Sequence, residues 1–265
     1  MALDDSTNPS NDTSANGAGN QGAGPTLRRT PGPLFFAALA VAVVLSGILA
    51  YTAIRNRYSQ QAPQYIRVSG IPSSVPTPIA QLMALSPVPH RLAPNFSLKD
   101  QHGITRSLKS LQGRTVVLEF MDPHCVDICP IVSQEFVDAY HDLGSRASQV
   151  VFMAVNVNPY FTTVSDVATF SKEHGLSAIP SWYFLTGSVK ALTAVWHDYG
   201  IEVDAPNPKR DIIHTSVVYF IGPNGRERYL GVPMDDHNAQ RKAYLPTGQL
   251  SSWGNGIALV AASLG

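Results

Sequence analysis

The two cysteines of this 265-residue chain stand four positions apart, with three residues between them, in Asp122-Pro123-His124-Cys125-Val126-Asp127-Ile128-Cys129-Pro130. What brackets them limits the fold. Residues 115–120 form a short apolar run rich in β-branched side chains, which suits a buried strand. After the second cysteine, Pro130 suits the first turn of a helix, where its missing N–H costs nothing. Val132, Phe136, Ala139 and Leu143 then fall on one helical face before Gly144 stops the helix. The order is strand, cysteine loop, helix. A helix N-terminus carries partial positive charge and unpaired N–H groups, and both stabilise a thiolate. One or both thiols are therefore expected to have lowered pKa values.

The alternation continues downstream. Residues 149–156 read as a second strand. Thr163 and Asp166 form a capping box for a helix through Val167 and Phe170, ending at Gly175. Residues 182–185 are a third strand. Ser188 caps a helix whose Leu192, Val195, Trp196 and Tyr199 share a face, ending at Gly200. Residues 212–221 are a fourth strand, and Pro223-Asn224-Gly225 turns it into a hairpin partner at 226–230. A last helix lies around 257–264. This pattern predicts an α/β domain over residues 91–265, a central sheet flanked by helices. A cysteine pair after the first long strand, at a helix start, makes it thioredoxin-like.

The N-terminal third is different. Residues 1–33 are mostly Asn, Ser, Thr, Gly, Asp and Ala, too poor in apolar surface to offset ordering entropy, so they read as a disordered tail. Residues 34–54 run without a charge, flanked by Arg28 and Arg29 before and Arg55 and Arg57 after. That length matches the ~20 residues of a transmembrane helix. It exceeds the roughly 7–15 residues of a signal-peptide core, the competing reading, so the expectation is an uncleaved anchor in contact with membrane lipid. Residues 55–90 hold Pro63, Pro72, Pro76, Pro78, Pro87 and Pro89 and read as a semi-stiff tether. The flanking arginines tie, so they do not orient the anchor. A redox-active or copper-binding pair is more useful outside the cytoplasm, which argues for a single-pass protein of the cell membrane with its domain on the extracytoplasmic side. The formal net charge is zero and no basic stripe occurs, which argues against a nucleic-acid partner.

Two nearby thiols can form a disulfide or share a soft metal ion. Three intervening residues, against two in a thioredoxin redox pair, loosen disulfide geometry and favour sulfurs facing a common ion; such donors select copper(I), and imidazole suits either copper state. A purely stabilising bridge is a poor use of so short a loop, which closes little chain entropy. Of the eight histidines, His214 stands out at the head of an apolar strand whose entry lies beside the cysteine loop in a thioredoxin-like sheet. His124 adjoins Cys125 and is a second candidate. His141 and His174 read as solvated, and Met121 and Met234 as available thioethers, Met121 in the core.

Cys125-x-x-x-Cys129-Pro130 with Asp127 inside, His214, the Gly222-Pro223-Asn224-Gly225 turn, Ala93–Leu98-type residues Ala93-Pro94-Asn95-Phe96-Ser97-Leu98, and Phe184-Leu185-Thr186-Gly187 together resemble the Sco/SenC family over about residues 90–235. The resemblance implies a thioredoxin-fold copper protein whose ligands map onto Cys125, Cys129 and His214. It implies a metallochaperone, acting as copper donor, as reductant of the recipient's cysteines, or both, that assists assembly of the dinuclear copper centre of cytochrome c oxidase subunit II or serves another copper-receiving protein. The competing expectation is an extracytoplasmic thiol–disulfide oxidoreductase. In it Cys125 attacks, Cys129 resolves, and no metal takes part.

Overall fold

The computed structural model describes residues 32–60 and 67–265, in two compact units taken separately here. Residues 1–31 of the expected tail lie outside the described residues. In the first unit the uncharged run lies within one helix, α1 (Pro33–Gln60). Its 21-residue stretch Phe36–Asn56 is long and apolar enough to cross a bilayer, since each helical residue rises about 1.5 Å.

The second unit begins with α2 (Thr77–Leu82), β1 (Ser86–Pro87), β2 (Ser97–Lys99) and β3 (Thr105–Ser107). Then come β4 (Thr115–Met121), α3 (Ile128–Leu143), β5 (Val150–Asn156), α4 (Val164–Glu173), β6 (Trp182–Leu185) and α5 (Val189–Tyr199). The chain closes with β7 (Val203–Asp204), β8 (Ile213–His214), β9 (Val218–Ile221), β10 (Glu227–Gly231), β11 (Asp236–His237), β12 (Ala243–Tyr244) and α6 (Thr247–Ala262). Six strands make one sheet in the order β1-β10-β9-β4-β5-β6. β4, β5 and β6 run parallel, and β9, β10 and β1 continue the sheet antiparallel.

β4 and β5 are buried along their whole lengths, which explains why they read as continuous apolar runs rather than alternating ones. Alternate side chains feed two cores. Val117 and Met121 join Phe136 of α3, Phe170 of α4 and Trp253 and Ile257 of α6 on one face. Leu118 and Phe120 join Leu192 and Trp196 of α5 on the other. The Thr163–Asp166 capping box is present in full, and the Ser188 hydroxyl accepts from the Ala191 N–H at the start of α5.

Three expectations change. The proline-rich tether over 55–90 is shorter than its composition suggests: Val75 and Met83 are fully buried, and Leu85 nearly so. Pro76 and Pro78 start α2, and Pro87 lies on the edge strand β1, both places where a missing N–H is tolerated. The final helix starts ten residues before the expected 257–264 and runs over 16 residues, Thr247–Ala262; Gly248, Gly254 and Gly256 weaken its signal in the sequence. The expected strand over 212–221 is broken at residues 215–217, so His214 pairs with β7 through Val203 instead of extending β9.

Candidate metal centre

Parallel β4 delivers the chain to one end of the sheet, and the cysteine loop forms there. Asp122, the first residue past β4, is 6% exposed. Its backbone carbonyl accepts from the Cys125 N–H at 3.1 Å. Its Oδ1 accepts from the His124 N–H and from Asn158 Nδ2, each at 2.8 Å. Asn158 is itself fixed beyond β5 by its N–H donating to Asn156 Oδ1. These bonds bind the loop after β4 to the loop after β5.

The thiols sit where α3 begins. Asp127 occupies the N-cap position but makes no side-chain cap bond. The Cys125 sulfur takes that place, accepting from the Cys129 N–H at 3.4 Å. Both cysteines are free thiols, Cys125 half-buried and Cys129 buried. Hydrogen bonding from the Cys129 thiol, helped by the N–H groups of Cys129 and Asp127, pulls the Cys125 thiol down against the opposing effect of burial. Giving that bond, and then burial, push Cys129 well above the ordinary thiol range. A lowered pKa was expected for one or both thiols; Cys125 has it and Cys129 does not.

His214 is half-buried on β8. Its Nδ1 lies 3.0 Å from the Thr215 carbonyl, which only accepts, so Nδ1 is the donor and Nε2 keeps its lone pair. Burial pushes its pKa below the usual histidine value and favours the neutral, ligand-ready ring. The two thiols meet, but a nitrogen of His214 does not join both within 4.8 Å. What the three share is Asp122: its negative charge acts on Cys125, Cys129 and His214 alike. The neighbourhood holds two soft donors and one borderline donor, which suits a thiophilic ion.

The other candidates lie elsewhere. The His124 ring stacks on Phe161 with centroids 3.8 Å apart, and its Nε2 is 3.7 Å from Asp166. Met121 is core, and Met234 is 41% exposed. Sequence reasoning missed Asp122, whose position one residue past a buried strand was a usable signal. It also missed a second cluster, Asp127 with Asp235 and His237, whose ligand atoms lie within 4.8 Å of one another. His237 Nε2 is 3.3 Å from Asp127, so β11 touches the residue between the cysteines. No local pattern marks that contact.

A parallel–antiparallel sheet with a thiol pair at the helix start after its central strand defines a thioredoxin-like thiol protein. Residues 86–243 match the SCO1/SenC family, and the chain belongs to that family. The SCO1 protein homolog of Bacillus subtilis is 28% identical over 155 residues, covering 53% of this chain and 76% of its own. The mitochondrial SCO2 homolog of Bos taurus is 27% identical over 137 residues, covering 49% of this chain and half of its own length, 50%. In fold, the chain is similar to Bradyrhizobium japonicum ScoI solved with copper bound: TM-score 0.50, 21% identity, 66% of this chain and 99% of that one.

Proposed function

We propose that the chain is a membrane-anchored copper chaperone. Copper is its cargo, carried by Cys125, Cys129 and His214 in a domain spanning about residues 91–265 and its packed N-terminal extension. The anchor is the helix over residues 34–54, crossing once, with the domain on the extracytoplasmic side. The recipient is the dinuclear copper centre of cytochrome c oxidase subunit II. The observation that carries this reading is the pair of contacting thiols at the start of α3, with a neutral His214 in the field of the same Asp122. Family membership and the copper bound in the similar Bradyrhizobium structure support the choice of metal.

Loading requires the His214 segment to close on the thiols. Cys125 would give up its proton first, Cys129 second, and His214 would then offer Nε2. When bound, copper supplies only ligand exchange: a recipient's thiolates replace these ligands one by one. The test is to titrate the reduced chain with copper(I) and record X-ray absorption. We expect about one copper with a mixed sulfur and nitrogen shell, and a weaker, sulfur-only shell for His214→Ala. Failure of the reduced protein to hold copper, or equal binding by Cys125→Ser, refutes the reading.

The asymmetry of the thiols favours a second reading, a thiol–disulfide oxidoreductase. A half-exposed thiol with lowered pKa attacks, and a buried one resolves. His214→Ala separates the two, since it removes the nitrogen ligand and leaves both sulfurs in place.

A further inference from the structure

β4 and β9 pair only as far as Leu118 opposite Tyr219. Beyond that point backbone pairing stops, and a side chain takes over. The Glu119 carboxyl meets the segment that leads to His214: the Ser216 hydroxyl donates to its Oε1 at 3.4 Å, and the backbone N–H groups of Val217 and Phe120 act on its charge. On its far side the His214 segment is tied to the β7 region, by Thr215 N–H donating to the Glu202 carbonyl at 3.0 Å and Glu202 N–H donating to Thr215 Oγ1 at 3.2 Å. The described hydrogen bonds thus give this segment one peripheral tie and one tie to the central sheet, and the central one runs through Glu119.

Glu119 is a strange side chain for a central strand. It is 1% exposed, its Oε2 has no hydrogen-bond partner, and α3 sets a second buried carboxyl, Glu135, near it. An apolar residue would pack there at less cost. We infer that Glu119 is a positioning residue for copper binding: through Ser216 it sets how far His214 reaches toward the two thiols. The inference rests on His214 being a ligand, as proposed above. Burial pushes the Glu119 carboxyl up to about 8, so at neutral pH it is mostly the neutral acid, whose carbonyl oxygen still accepts. Glutamine reproduces that acceptor, and leucine does not.

The experiment compares the full chain in its wild-type form with Glu119→Gln, Glu119→Leu, Ser216→Ala and His214→Ala. Copper release to a chelator, X-ray absorption of the loaded protein and amide exchange of the copper-free protein are measured. Outer-shell partners of a metal ligand commonly contribute 10–100-fold to affinity. Glu119→Leu is therefore expected to release copper roughly tenfold faster or more, with a reduced nitrogen signal and faster exchange at Thr215 and Val217. Glu119→Gln should stay near wild type, and Ser216→Ala should shift the same way by less. A Glu119→Leu chain that keeps the wild-type shell, release rate and amide protection overturns the inference. If that variant does not fold, an unchanged Ser216→Ala does so. If His214→Ala itself matches wild type, the copper reading fails and this inference with it.

Discussion

Gly254 lets α6 lie close against α3, and filling it measures how closely. A Cβ added there would stand 2.6 Å from Asp138 Cβ, 3.2 Å from the Glu135 carbonyl oxygen and 3.3 Å from the Ala139 nitrogen. Carbon pairs prefer about 3.5–4.0 Å. All three neighbours belong to the α3 backbone or its first side-chain carbon, so none can swing aside, and the helices must part. Alanine in place of an interior helical glycine contributes about 1 kcal/mol of helix stability. Overpacking a core contact costs about 1–3 kcal/mol. The balance is a net loss of about 1 kcal/mol. For a domain of this size that lowers Tm by roughly 2–4 °C. Gly248, in the first turn of the same helix, has nothing within 4 Å of the added atom. Gly248→Ala should leave Tm unchanged or slightly raised. Thermal melts of the two variants in detergent decide the matter. A rise in Tm for Gly254→Ala would refute the close-packing argument.

Two further outcomes concern the buried carboxyls and the thiols. Glu119 titrates near 4.5 unfolded and is pushed up to about 8 when folded, so the folded state holds its proton over that interval. Stability is fully present below the lower value and falls as pH rises toward the higher one, a loss on the order of 3 kcal/mol by pH 7. Urea midpoints of Glu119→Gln should therefore exceed those of wild type at pH 7 and converge with them at pH 4; a constant gap would contradict this. Limited alkylation of the reduced chain near neutral pH should label Cys125 well before Cys129, as read by peptide mass, because Cys125 has the lowered pKa and the access. Equal labelling would contradict the assigned thiol order.

The strand, cysteine loop and helix around Cys125 were legible because each is a local pattern: a β-branched run, a proline in a first turn, a 3.6-residue stripe. The capping box at Thr163 and the cap at Ser188 were legible for the same reason. Pro76, Pro78 and Pro87 misled, since composition cannot distinguish an extended tether from a helix start and an edge strand. At the candidate site, the contact between the thiols followed from their spacing. Asp122, Glu119 and the His237–Asp127 contact depend on side chains brought together from up to 110 residues apart. The break before β9 was hidden because Ile212, Ile213, Val217 and Val218 flank His214-Thr215-Ser216 closely enough to read as one strand, while the carboxyl of Glu119 that meets Ser216 lies on another strand.

The unequal exposure of the two thiols gives the site a front and a back. Cys129 is 2% exposed near the start of α3, and Cys125 is only partly buried, next in the chain to the 84% exposed Val126. An incoming molecule can touch one sulfur and not the other. For the copper site proposed above, this asymmetry gives ligand exchange a direction: a recipient would reach the Cys125 sulfur first and the buried Cys129 sulfur last.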